Sequence, residues 1–112
     1  MTTESRETIL KFLKALNDED FKTARAFAAD EMKFEGVMGS RDGAEAYFAD
    51  MEKMRFKYDI KRLFADGDDV AVFYDINMGK GEPIFTAGWY HVTAGKINTI
   101  RVVFDPRPLN PS

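Results

Sequence analysis

The chain predicts an α+β fold in which three N-terminal helices pack on a curved, mainly antiparallel sheet to make a cone-shaped barrel. Three observations lead there. Apolar residues recur at helical spacing three times in the first half, on Ile9, Phe12, Leu13 and Leu16, then Phe21, Ala24, Phe27 and Ala28, then Ala44, Tyr47, Phe48 and Met51. From Phe56 onward the period changes to two. Turn signals then divide that half into hairpin-length pieces, at Asp66-Gly67-Asp68, Gly79-Lys80-Gly81-Glu82-Pro83 and Ala94-Gly95-Lys96. Helices before strands, in a chain too short for two cores, must cover one face of the sheet.

Each element has its own signal. Thr3 to Leu16 reads as the first helix, with Thr3 as a plausible N-cap and Glu4 facing the positive end of the dipole. Asn17-Asp18 breaks the pattern and caps a second helix, so the pair is antiparallel or V-shaped. Met32 to Met38 is a short strand bent at Gly36. Asp42 and Glu45 have capping-box spacing and start the third helix, which reaches Met51 or Met54. Four strands follow as a meander: one carrying Phe56, Tyr58 and Ile60, then Val70 to Met78, Ile84 to Thr93, and Ile97 to Phe104. The tail from Pro106 to Ser112 holds three prolines and reads as extended.

The 112 residues suit one domain, spanning 1–112 with 106–112 as its tail. Net charge is −3 without a basic stripe, which argues against nucleic acid as a partner. The chain has no Cys, so thiol chemistry and zinc–thiolate sites are excluded, and a reducing cytoplasm is the expected compartment. No apolar run is long enough for a membrane span or a signal peptide. Ten Phe residues in so small a chain either pack tightly or line a cavity.

Strand parity sorts the sheet residues into two sets. Ala71, Phe73, Asp75 and Asn77 are grouped with Gly88, Tyr90, Val92, Ile100, Val102 and Phe104 on the pocket side. Val70, Val72, Tyr74 and Ile76 are grouped with Trp89, His91, Arg101 and Val103 on the outer side. A bulge in any strand would flip its assignment. Both sets are largely apolar, and the helices cover only one, so a second copy of the chain is expected on the other.

Several segments resemble the SnoaL-like, ketosteroid-isomerase-like branch of the nuclear transport factor two superfamily, a cystatin-like fold. They are Phe12-Leu13-Lys14-Ala15-Leu16-Asn17-Asp18 with Phe21, Phe34-Glu35-Gly36, Gly67-Asp68-Asp69-Val70-Ala71-Val72, and Gly95-Lys96-Ile97 leading to Val103-Phe104-Asp105-Pro106. The resemblance implies a homodimeric cone with a deep apolar pocket. It does not imply one activity, since the family includes isomerases, cyclases, hydrolases and non-catalytic binders. The positions of the steroid isomerases' Tyr, Asp base and protonated Asp fall on Phe12, Gly36 and Gly88, so that triad is missing. The limonene-epoxide-hydrolase Arg-x-Asp pair falls on Phe73 and Asp75. Its second Asp, like the cyclases' acid, falls at or near Val102.

The expected function is therefore binding of a small, mostly apolar organic molecule, with or without cofactor-free acid–base isomerase, cyclase or hydrolase activity. The alternative is a non-catalytic ligand-binding or interaction module. Asp75 is the candidate acid–base group, and Tyr90 would polarise a carbonyl. Asp75 has an equally simple structural explanation, an ion pair with a cation such as Arg101 or Lys57. Phe12, Leu16, Met38, Phe48, Met51, Phe73, Val102 and Phe104 are the expected ligand contacts. Tyr47 and Tyr58 are further candidate donors, and Met32, Met38, Met51 and Met54 are candidates for an adaptable pocket floor. His91 shares its parity with Trp89 and has no orienting partner nearby in sequence, which favours an interface or surface role. One His and no Cys make a transition-metal site improbable. Gly79-Lys80-Gly81 is explained as a turn, and Asp66, Asp68 and Asp69 lack the ligand pattern of a calcium loop.

Overall fold

A computed structural model describes residues 3–79 and 81–106. Helix α1 spans Thr3–Asn17 and α2 Phe21–Ala26, strands β1 and β2 span Ala28–Glu35 and Ser40–Asp42, and α3 spans Ala44–Met54. The meander follows as β3 Lys57–Asp66, β4 Asp69–Asn77, β5 Ile84–Thr93 and β6 Lys96–Phe104. All six strands form one sheet in the order β2-β1-β6-β5-β4-β3, with β1 and β6 parallel and every other pair antiparallel. The predicted α+β architecture is the observed one.

Local chemistry explains where the boundaries differ from the sequence pattern. Helix α2 starts from Asp20, not Asn17-Asp18, because the Asp20 carboxylate accepts from the Thr23 amide at 3.2 Å and the Thr23 hydroxyl at 2.8 Å. The helix ends after six residues, and Ala28, expected on its stripe, opens β1 instead. There Ile97 N–H donates to the Phe27 carbonyl at 2.8 Å and Lys96 Nζ to the Ala26 carbonyl at 2.6 Å, so β6 draws the chain into the sheet. Asp42 is not the cap of α3. It ends the unpredicted edge strand β2, and Gly43, with φ 99°, is the N-cap without a side-chain bond. The φ of Gly43 is strained for any side chain, so backbone geometry starts this helix. The Thr3 side chain and the tail residues 107–112 lie outside the described residues.

One apolar core lies between the helices and the concave face of the sheet. Ile9, Phe12, Leu13 and Leu16 of α1 are buried there with Tyr47, Phe48 and Met51 of α3. Their sheet partners correct the predicted faces. Val72 pairs with Gly88 and Tyr74 with Thr86, so Val70, Val72, Tyr74 and Ile76 share the inner face with Tyr90 and Val92. Ala71, Phe73 and Asp75 face outward with Phe85, Ala87 and Trp89. The parity within β4 holds, but its match to β5 is reversed. The register shifts in three pairings, between Ala28 and Lys33 of β1 and at two bulges that preserve the apolar faces in the meander. One lies between Ile60 and Arg62, the other opposite the His91–Val92 step, and the latter lets both Ile97 and Ile100 point inward.

Candidate functional site

The depth of the cone is filled by aromatic rings. All four tyrosines of the chain, Tyr47, Tyr58, Tyr74 and Tyr90, are buried in it. The Tyr74 and Tyr90 hydroxyls are hydrogen-bonded to each other at 2.7 Å. Tyr58 stands edge-on to Tyr74 with centroids 5.0 Å apart, and its hydroxyl donates to Met51 Sδ at 3.7 Å. Phe12 makes edge contacts with Phe48 at 6.2 Å and Tyr90 at 6.3 Å. Gly88 makes room for the pair, since a Cβ there would lie 2.7 Å from Tyr74 Oη and 3.0 Å from a Tyr90 ring carbon. Removal from water disfavours the phenolate, so burial pushes Tyr74 up to about 12 and moves Tyr90, Tyr58 and Tyr47 in the same direction. These tyrosines are neutral hydrogen-bonding groups. No Asp, Glu, Lys or Arg is buried among the described residues.

The open space is at the mouth. A cavity of about 460 Å³ sits where β1, β4 and β6 end and β3 begins. Phe34, Phe56, Met78 and Phe104 line it from the sheet side. Gly36, Val37, Met38 and Gly39 of the β1–β2 loop form another wall, and Asp50 and Met54 of α3 a third, with Arg41 of β2. The loop closes through Gly36 N–H donating to the Gly39 carbonyl at 2.8 Å. A Cβ on Gly36 would come within 3.0 Å of the Phe34 ring, so glycine lets that ring lie over the loop. Phe34 also contacts Tyr47, with centroids 5.2 Å apart, and so joins the cavity wall to the tyrosines. The wall has one charged feature. Arg41 Nε donates to Asp50 Oδ2 at 2.6 Å, tying β2 to α3 across one side of the mouth.

The expected site residues do not form one group. Met38 and Phe104 line the mouth cavity, and so does Met54. Phe12, Leu16, Phe48 and Met51 are core residues, as is Met32, while Val102 packs against the core partly buried. Tyr90 is sealed against Tyr74. Phe73 and Asp75 are on the outer face, for the register reason given above. Asp75 lies 3.7 Å from Lys61, whose ammonium also bonds Asp59 at 2.9 Å. The two cations expected there are engaged elsewhere, Lys57 with Glu19 and Arg101 with Glu35. His91 does have an orienting partner: Asp69 Oδ1 lies 2.8 Å from His91 Nδ1 and accepts from Trp89 Nε1 at 2.9 Å. Asp69 and His91 are paired at the open end of the β4–β5 hairpin, 22 residues apart in the chain, so sequence proximity gave no sign of it.

Sequence reasoning missed Phe34, Arg41, Asp50, Phe56 and Met78. The signal available for Phe56 and Met78 was their position at the ends of expected strands, and for Phe34 its place beside the bend at Gly36, whereas Arg41 and Asp50 carried none. Among the described residues no group of three or more His, Cys, Asp or Glu could hold a metal ion.

N-terminal helices packed on a curved, mixed six-stranded sheet are the architecture of the nuclear transport factor two-like class. A family model described as the SnoaL-like domain matches residues 9–100, and the chain belongs to that family. Among solved structures it is similar to a nuclear transport factor two-like protein of unknown function from Cytophaga hutchinsonii. Identity is 46%, covering 94% of this chain and 93% of that one, with a TM-score of 0.90. It is also similar to an epoxide hydrolase from M. tuberculosis described as LEH-like, at 28% identity over 96% and 86% of the two chains with a TM-score of 0.84. A cystatin-fold protein from Novosphingobium aromaticivorans, 18% identical over 88% and 96%, shares the fold with a TM-score of 0.79. No curated protein matches the chain.

Proposed function

We propose that this chain binds a small, mostly apolar organic molecule in the mouth cavity. The observation that carries this reading is a space of about 460 Å³ whose wall is built from Phe34, Met38, Met54, Phe56, Met78 and Phe104 and interrupted by one ion pair. Cavities of this size and composition suit small ligands. Three methionines let the wall adapt to the ligand's shape. Cofactor-free acid–base chemistry at this place would fall to Asp50 and Arg41, because Tyr90 is sealed in the core and Asp75 is on the far side of the sheet.

The same reading includes a homodimer through the outer sheet face, in the cytoplasm. Phe85, Trp89 and Val103 are 59%, 49% and 63% exposed there, and Phe73 stacks on Phe85 at 6.2 Å. Arg101 lies over Trp89 at 5.7 Å, while Asp69, Asp75 and Lys61 add both charge signs, a pattern that a two-fold copy can complement. Among the described residues, no helix is long and apolar enough to cross a membrane.

One experiment addresses both parts. The neutral dye N-phenyl-1-naphthylamine should bind once per chain with a fluorescence rise. Met54→Lys, which puts an ammonium in the mouth, should weaken binding about tenfold or more without changing the melting temperature. Trp89→Asp should leave dye binding intact while converting a sedimenting dimer to a monomer. Dye binding that follows Trp89 instead of Met54 would assign the dye to the outer face and remove the support for the cavity. A wild type that sediments as a monomer at micromolar concentration would end the dimer reading.

A further inference from the structure

We propose that the ligand of the mouth cavity is an uncharged molecule carrying a hydroxyl group at its polar end, and is neither a carboxylate nor an amine. This rests on the mouth as the binding site and follows from how its one charged feature is built.

Arg41 and Asp50 are already neutralised by each other, with Nε and Oδ2 only 2.6 Å apart. Each still has capacity. Arg41 uses Nε on Asp50 and Nη1 on the Ser40 carbonyl at 2.8 Å, which leaves Nη2 without a partner among the described residues. Asp50 accepts one bond at Oδ2, so its Oδ1 is equally unengaged there. The pair therefore still offers a ligand N–H donors on Arg41, both on Nη2 among them, and a carboxylate acceptor on Asp50, at the edge of an apolar space.

A charged head group gains little here. A carboxylate close enough to bond Arg41 also feels the Asp50 carboxylate, and an ammonium close enough to bond Asp50 feels the guanidinium. The Coulombic gain and loss largely offset, while the cost of taking a charge out of water remains. A hydroxyl loses much less hydration. It can accept from Arg41 Nη2 and donate to Asp50 Oδ1, using both capacities together. Its apolar body lies against Phe34, Phe56 and Met78.

The test uses four probes of similar length: 1-octanol, octanoate, octylammonium and heptyl methyl ether. Each is titrated into protein carrying ¹³C-methyl methionine, and the Met38, Met54 and Met78 methyl shifts report occupancy of the cavity. Octanol should bind about threefold to tenfold tighter than the ether, which only accepts, and tighter than either ion. Asp50→Asn removes the carboxylate's repulsion and should turn the preference to octanoate. Arg41→Gln should turn it to octylammonium. Both positions are on the surface, and the shifts of the buried Met32 and Met51 methyls monitor folding. Wild type that prefers an ion, binds the ether as well as the alcohol, or keeps its order of preference in Asp50→Asn overturns the hydroxyl inference while leaving the cavity as the site. If no probe moves the three mouth methyls, the cavity reading itself falls, and the hydroxyl inference with it.

Discussion

The depth of the cone and its mouth are built from similar residues and do opposite things. In the depth, Phe12, Phe48 and four tyrosines meet ring to ring, and the polar atoms pair with each other, as Tyr74 does with Tyr90. At the mouth, Phe34, Phe56 and Phe104 stand around an opening, and the polar groups are a salt bridge on the wall. The difference lies in what stands across from each ring. A ring in the depth faces other rings at packing distance, whereas the rings at the mouth border an open space whose other walls are the 36–39 loop and the end of α3. Aromatic content alone therefore does not make a pocket; the ends of the elements do.

That contrast can be broken most strongly at Phe12. Phe12→Ala should cost about 3–5 kcal/mol of folding stability, because the neighbouring rings cannot collapse into the space. Met54→Ala at the mouth should stay within about 0.5 kcal/mol. Chemical denaturation of the two variants checks this, and equal losses would mean that the mouth is as tightly packed as the depth.

The second effect is alkaline. The folded pKa of Tyr74 is raised from 10.0 to about 12, so its stabilising contribution is complete below pH about 10 and is lost as the pH climbs through about 12. Tyr47, Tyr58 and Tyr90 are raised as well and act in the same direction. Phenolate absorbance near 295 nm should rise together with loss of near-UV circular dichroism. Ionisation of the tyrosines ahead of unfolding would place their hydroxyls in water.

A smaller effect isolates the hydroxyl pair. Tyr74→Phe should cost about 1–3 kcal/mol by leaving the Tyr90 hydroxyl buried without its partner. The double change with Tyr90→Phe should cost less than the sum of the single changes, as a double-mutant cycle of melting curves would reveal. Additive losses would mean that the two hydroxyls act separately.

Much of the fold was legible because burial imposes a period on each element. The α1 stripe, the meander and its turns follow from that rule, and α1 and β4 to β6 fall within a residue of their expected bounds. The edge strand β2 was not legible, since all three of its residues, Ser40, Arg41 and Asp42, are exposed and carry no apolar pattern. The face of β4 was misread although the chain held the answer. Val70, Val72, Tyr74 and Ile76 are uniformly apolar, whereas the other parity contains Asp75, and the carboxylate belongs in water. The mouth was partly legible through Met38, Met54 and Phe104. The Arg41–Asp50 pair was not, because it joins two elements through space and neither residue is unusual in its own segment.

The placement of β6 in the third position of the sheet has a consequence for how the molecule comes into being. β3, β4 and β5 are joined to their neighbours by hairpins, so their pairing is local in the chain. β1 has such a neighbour only in β2; on its other side Lys33, Phe34 and Glu35 align with Thr99, Ile100 and Arg101, across most of the chain. Contacts of that separation form late, after the entropy of closing a long loop has been overcome. A ribosome must therefore release β6 before β1 has its second partner, and a product ending ahead of Lys96 would hold two unjoined fragments of sheet, β2-β1 and β5-β4-β3, each with a raw edge open to aggregation. β6, the last of these six strands in chain order, is the one that makes the two fragments a single sheet.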